Sequence, residues 1–146
     1  MLKRILFAIL LIAASSSLAD ARNTRLLLKI QDVMSSSDFQ EKVGNSIAFY
    51  FAYQPQPQVT QTLGEFVTNK KTNSFGKSDE AACQWAMLSA LIQFRDRAVA
   101  EGGNAVINLV SYYDRDEIPD KSEYECHAGA FVAGVALKGT VAKLAK

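Results

Sequence analysis

Residues 74–85 read SFGKSDEAACQW, and two folds compete for them. Gly76-Lys77-Ser78 running into a helix is how a phosphate-binding loop ends, which would make the chain a nucleotide-binding α/β protein. The same residues can also do no more than turn the chain and cap a helix. Spacing decides. The phosphate loop needs a glycine five positions before Gly76, and that position is Lys71. Residues 71–75, KTNSF, hold no glycine that would let backbone N–H groups wrap a phosphate. Asp79 and Glu80 would repel one. Ser78 is therefore read as an N-cap, with Asp79 and Glu80 at the positive end of the helix dipole. Gly76 is a turn residue. Nucleotide binding is rejected.

The helix begun there is predicted over residues 79–101, and Gly102-Gly103 stops it. On a helical wheel Ala81, Trp85, Leu88, Ile92 and Val99 cluster. Cys83, Met87, Leu91, Phe94 and Ala98 form a second group beside them. The joint apolar arc is wider than a helix lying on one layer requires. Gln84 and Arg95 sit inside it. Either they mark a seam between two contacts, or Arg95 reaches a buried acid.

Strand patterns flank the helix. Residues 25–30, RLLLKI, read as a short strand, and SSSDFQEKVG as a short helix stopped by Gly44. Residues 46–53 alternate, with Ile47, Phe49, Phe51 and Tyr53 on one face. QPQPQVTQ is a loop or a sheet edge, because proline supplies no ladder N–H. Residues 64–75 read as a polar strand, and 105–113, AVINLVSYY, as a β-rich one. A charged loop, 114–123, follows. Residues 124–138, YECHAGAFVAGVALK, are predicted as one long strand with a small-residue face containing Cys126, against which a helix can pack closely. Residues 141–146 read as a frayed basic tail. The fold class is therefore α+β: a small antiparallel sheet under one long helix, with its core in residues 46–139.

The N-terminus bears on compartment. Lys3 and Arg4 precede a ten-residue apolar run, 5–14, and then small residues at 17 and 19. This is the pattern of a secretory signal peptide over residues 1–19. The expected cleavage follows Ala19, with Ala21 second. The run is shorter than the roughly 20 residues a spanning helix needs; the alternative is an uncleaved anchor. The rest, 20–146, suits one domain. The chain carries 16 Lys+Arg against 15 Asp+Glu, and losing Lys3 and Arg4 tips the balance to one net negative charge. Neither a nucleic acid nor a membrane surface is matched by such a balance. The expected location is the periplasm or the external medium.

Export puts Cys83 and Cys126 in an oxidising space, where two cysteines usually join. A structural disulfide is expected; the alternative is a metal or catalytic thiol. A helix lying on the Cys126 face would bring Cys83 within reach.

The second half carries a resemblance. GEFVTNKKTNSFGKSDEAACQWAMLSAL, GGNAVINLVSYY and YECHAGAFVAGVALKG together resemble a family of small exported bacterial proteins of unknown function, often labelled as an excinuclease ATPase subunit. The residues argue against that label, having no ATPase loop, zinc-finger cysteine set or basic surface. More distantly, the order of helix, GxNAVxNLV strand, charged loop and CxAxAFVxGxAL strand is similar to two groups. One is the periplasmic domain of the Rcs envelope-stress lipoprotein, the other a small oligomeric domain family named for heavy-metal binding. Both imply a compact domain with a helix on a small sheet. In the Rcs protein disulfides tie such elements; this chain has one pair and no lipobox.

No catalytic residue, cofactor or metal set stands out. His127, the only histidine, faces away from Cys126 in a regular strand, so the two cannot form a catalytic pair. Glu125 shares its face. A metal there would draw further ligands from Asp114, Asp116 or Glu117. The acidic loop lacks the order of a calcium loop. Tyr112 and Tyr113, with Phe49, Tyr50, Phe51 and Tyr53, are either core or a contact surface. The reading that results is an exported, non-enzymatic binding or interaction module for an envelope or extracellular protein. Its expected surfaces are the aromatic strands and the second apolar helix face, including self-association through that face. The alternative is a small-ligand or metal-binding protein using His127, Glu125, Tyr112, Tyr113 and Arg95.

Overall fold

The computed structural model describes residues 21–146. The signal-peptide reading of residues 1–19 lies outside them. The strands are β1 (Thr24–Lys29), β2 (Ala48–Phe51), β3 (Val59–Asn73), β4 (Ala105–Ser111), β5 (Glu123–Ala128) and β6 (Val132–Leu144); the helices are α1 (Ile30–Met34), α2 (Ser37–Lys42) and α3 (Asp79–Glu101). The six strands form one sheet in the order β1-β5-β6-β4-β2, with β3 along the other side of β6. The α+β class, the long helix on the sheet and the disulfide are all as expected. The sheet is mixed, however: β2 runs parallel to β4, and every other pair is antiparallel.

Gly-Lys-Ser forms a turn that starts a helix. Ser78 Oγ accepts from the Ala81 N–H at 3.1 Å. Gly76 sits at φ 71, a conformation that favours glycine. Lys77 Nζ donates to the Asn73 carbonyl at 3.1 Å, closing the turn. At the other end Gly102 is left-handed, φ 78, and ends α3. Gly103 has a different task. A Cβ there would lie 2.9 Å from the Ala142 carbonyl oxygen, so its missing side chain lets the helix end meet β6.

The predicted long strand over 124–138 is a hairpin. Ala128 pairs with Ala133 and His127 with Gly134, and the Gly129 N–H donates to the Val132 carbonyl across the turn at 2.8 Å. Glycine is needed because a Cβ at 129 would come within 2.9 Å of the Arg22 carbonyl oxygen. The turn flips the parity of the faces. Tyr124, Cys126 and Ala128 face the helix, and then Ala133, Val135 and Leu137 do so. The small-residue face predicted along 124–138 with Cys126 holds only as far as Ala128. Cys126 precedes the flip, so the expected pairing survives: Cys83 and Cys126 are bonded, with Cα atoms 5.9 Å apart. Both are fully buried.

α3 buries Ala82, Cys83, Ala86, Met87, Leu88, Ala90, Leu91, Phe94 and Ala98. Each large side chain among them contributes about 2 kcal/mol of transfer free energy. The wide arc is explained by two neighbours, the sheet on one side and α1 with α2 on the other. α1, which the sequence did not suggest, contributes Ile30 and Val33 to the core, and α2 contributes Phe39. Most of the arc is thus used within the chain. Trp85 and Val99 fall at its margins and are exposed. Arg95 reaches no buried acid. Its guanidinium donates to the Lys42 carbonyl at 2.5 Å and the Val43 carbonyl at 3.1 Å. It satisfies the open C-terminal end of α2 and is paired otherwise with its neighbour Asp96.

The core is also wider than 46–139. It begins at Ile30 and includes Val141. Residues 141–146 are no frayed tail: β6 runs to Leu144, and Val141, Ala142 and Leu144 are buried. β3 likewise begins at Val59, inside the segment read as a loop or edge, and it is an edge strand. β4 stops at Ser111, and Tyr113–Arg115 form a 3₁₀ turn. Phe49 and Phe51 are core; Tyr53 is exposed.

Candidate functional site

α3 covers one face of the sheet. Four strands present a row of residues on the opposite face. Arg25 of β1 lies beside His127 of β5, His127 beside Gly134 of β6, and Gly134 beside Lys71 of β3. Neighbouring strands are about 4.8 Å apart, so His127 and Lys71 stand roughly 10 Å apart with no side chain between them. The gap is a groove of about 370 Å³ with Gly134 in its floor. The β5–β6 hairpin adds Gly129, Ala130, Phe131 and Val132, the segment before β1 adds Arg22 and Asn23, and the 3₁₀ turn adds Tyr113.

His127 is held from three directions. Its Nε2 lies 3.0 Å from Glu125 Oε1 and its Nδ1 lies 3.1 Å from Asn23 Oδ1. Its ring stacks on Tyr113, with centroids 3.5 Å apart and planes 8° from parallel. Glu125 is buried, and Arg25 closes its other oxygen, with Nε and Nη2 each 2.8 Å from Oε2. The Glu125 N–H donates to Ser111 Oγ at 2.9 Å. Both imidazole nitrogens therefore face oxygen atoms of the chain, and a metal ion would have to displace one of them. Among the described residues no three His, Cys, Asp or Glu side chains gather where they could hold a metal.

Arg22 fixes the groove's other end. Its guanidinium makes paired bonds to Asp79 at 2.8 and 3.0 Å and donates to the Gly129 carbonyl at 2.9 Å. The hydrogen-bonded guanidinium holds the Asp79 carboxyl below its ordinary value, and Asp79 holds Arg22 above its own. One contact thus joins the hairpin turn to the first turn of α3.

The residues nominated from the sequence separate into groups. His127, Glu125 and Tyr113 come together. Tyr112 does not join them; the Lys138 ammonium lies 5.2 Å from its ring centre. Lys138 also pairs with Glu117 at 2.5 Å and Glu65 at 3.3 Å, and these bonds raise its pKa. Glu117 is thereby committed away from His127. Arg95 belongs to the helix layer, at the end of α2. In the acidic loop, Asp120 Oδ1 accepts from the Ser122 and Glu123 N–H groups, which makes it a turn residue. Arg22, Asn23, Arg25, Lys71 and Phe131 were not nominated. Arg25 meets Glu125 across 100 residues of sequence, and no local pattern signals such a pairing. Gly129, a turn residue inside an otherwise strand-like run, was the one available sign of the hairpin.

At the lip of the groove Phe131 stacks on Phe75, with ring centroids 5.8 Å apart and planes 8° from parallel. The two rings are 66% and 69% exposed, and Val132 beside them is 48% exposed. No helix of the described residues is long and apolar enough to cross a membrane. No known family model and no curated protein matches the chain.

Proposed function

We propose that the protein is an exported, non-enzymatic interaction module whose partner is an envelope or extracellular protein. The observation that carries this reading is the stacked, exposed Phe75–Phe131 pair. Aromatic rings are the side chains that contribute most to protein contacts, and grouped exposed apolar residues mark contact sites. Export is supported by the N-terminal sequence pattern and by the Cys83–Cys126 bond, a kind of link that persists mainly outside the reducing cytosol. The contact surface lies apart from those expected on the aromatic strand and the helix arc, where Phe49, Phe51 and most of the arc are buried while Tyr53, Trp85 and Val99 stay exposed. The resemblance to small exported bacterial proteins fits the same reading.

The test is capture from an envelope fraction and from culture fluid, with wild type and Phe75→Ala side by side. Phe75 is exposed, so the variant should melt within about 2 °C of wild type. At least one protein should be retained by wild type and lost by the variant. Identical captured sets would remove the Phe75 surface from the proposal. Sedimentation of both proteins tests self-association through the same rings.

A second reading, a small ligand bound beside His127, is favoured by the groove over Gly134. Its volume falls within the range of small-molecule sites, roughly 300–1,000 Å³.

A further inference from the structure

The geometry points to a small carboxylate with a flat apolar body as the occupant of the groove, its charged head on Lys71 and its body over Gly134 toward Phe131 and Val132. This inference names the ligand class for the second reading and does not depend on a protein partner. Three observations carry it.

The first is charge. The groove is lined by two cations, Arg22 and Lys71, and by no Asp or Glu. Asp79 compensates Arg22. Lys71 has no ion-pair or hydrogen-bond partner among the described residues, and it is exposed. An anion reaching it gains a charge-assisted contact without displacing an internal one. Glu125, the nearest buried acid, is closed off by Arg25 and His127.

The second is shape. Gly134 stands between His127 and Lys71 in the row and leaves the space between them unfilled. Backbone strain does not require glycine there, since Gly134 is not among the positive-φ residues. Crowding does not require it either: a Cβ at 134 would meet nothing closer than Lys71 Cγ at 3.6 Å. The missing side chain serves neither turn nor packing, and its consequence is the groove.

The third is the lining. Apart from Arg22, Asn23, Lys71, His127 and the Tyr113 hydroxyl, the groove is built from Gly129, Ala130, Phe131, Val132, Gly134 and Ala21. A purely polar anion would leave that surface unused, whereas a ring or short apolar chain covers it.

His127 is the sole histidine, so its ring resonances report on the groove without assignment ambiguity. The experiment adds phenylacetate to the protein at fixed pH and follows the His127 ring by NMR, with phenylacetamide as the uncharged counterpart. The expected result is a saturable shift with phenylacetate and a weaker one with phenylacetamide. Lys71→Met, which keeps the aliphatic stem, should weaken phenylacetate binding about fivefold and leave the amide unchanged. Gly134→Val, placed in a strand where a branched residue is favourable, should fill the floor and abolish both shifts while the fold, read by circular dichroism, is retained. Equal binding of acid and amide, or indifference to Lys71→Met, overturns the choice of an anion and leaves a groove that takes neutral ligands. No shift with either compound at about a hundred times a millimolar Kd-scale concentration overturns both the anion and the ligand reading. The protein-contact reading, tested at Phe75, is untouched by either failure.

Discussion

Removing the cross-link between Cys83 and Cys126 should cost the domain about 4 kcal/mol. The two residues are 43 apart in sequence. Closing a loop of that length in the unfolded chain removes roughly 13 cal/mol/K of conformational entropy, or about 4 kcal/mol at 25 °C. A domain of this size gains roughly 0.26 kcal/mol/K on unfolding. The melting temperature should therefore fall by about 15 °C. Both sulfurs are fully buried between α3 and β5. A Cys83→Ala/Cys126→Ala variant would also lose packing, about 1 kcal/mol per site. The cleaner comparison is wild type refolded in reductant, which keeps both sulfur atoms and lacks only the bond. The assay is thermal unfolding followed by circular dichroism, oxidised against reduced, with the double variant as a third arm. Reductant added to the native protein should act slowly, because the sulfurs are inaccessible until the helix leaves the sheet. A drop of less than about 4 °C on reduction would refute the reasoning. So would rapid labelling of both thiols in the native protein.

Two further outcomes follow from buried polar groups. Tyr124 is buried and its hydroxyl has no hydrogen-bond partner among the described residues, so Tyr124→Phe should stabilise by about 1 kcal/mol in urea unfolding. Burial, with a smaller contribution from Asp32, raises the phenol above its ordinary value of 10.0. Below pH 10 both folded and unfolded states keep the proton. Above it the unfolded state loses its proton first, so stability should fall with rising pH, and Tyr124→Phe should flatten that slope. A variant less stable than wild type would show that the hydroxyl has a partner. Arg25→Met should cost about 2 kcal/mol, less than a fully buried pair, because the Arg25 side chain is 50% exposed while that of Glu125 is 7% exposed. Adding Glu125→Gln should recover part of the loss, and a loss that the second change deepens would count against an uncompensated carboxylate.

Much of the site was beyond local pattern. His127 and Glu125 could be placed on one face because alternate strand residues share a face. Tyr113 could not be placed over the imidazole, since a 3₁₀ turn with Asp114 at φ 52 and Arg115 at φ 65 directs the chain there. Lys71 and Gly134 become neighbours of His127 only through the pairing of β3 and β5 with β6, which depends on the whole sheet. The long strand was misread for a related reason. No proline or charged residue interrupts 128–132, AGAFV, and the close approach of Arg22 to Gly129 is a tertiary fact. The tail was misread because its burial depends on β3 and β4 enclosing it.

What the amino-acid order determined unaided is what short-range physics governs. Ser78 caps α3, Gly102 ends it, Lys71 stands where the phosphate-loop pattern has glycine, and the apolar spacing from 79 to 101 makes a helix with more than one buried side. Those outcomes need only neighbours a turn away. Which residues cover the two sides, which strand lies beside which, and that Arg25, His127, Gly134 and Lys71 form one row were decided by tertiary structure. Such contacts join residues tens of positions apart, and their free energy comes from a core that exists only when every element is in place.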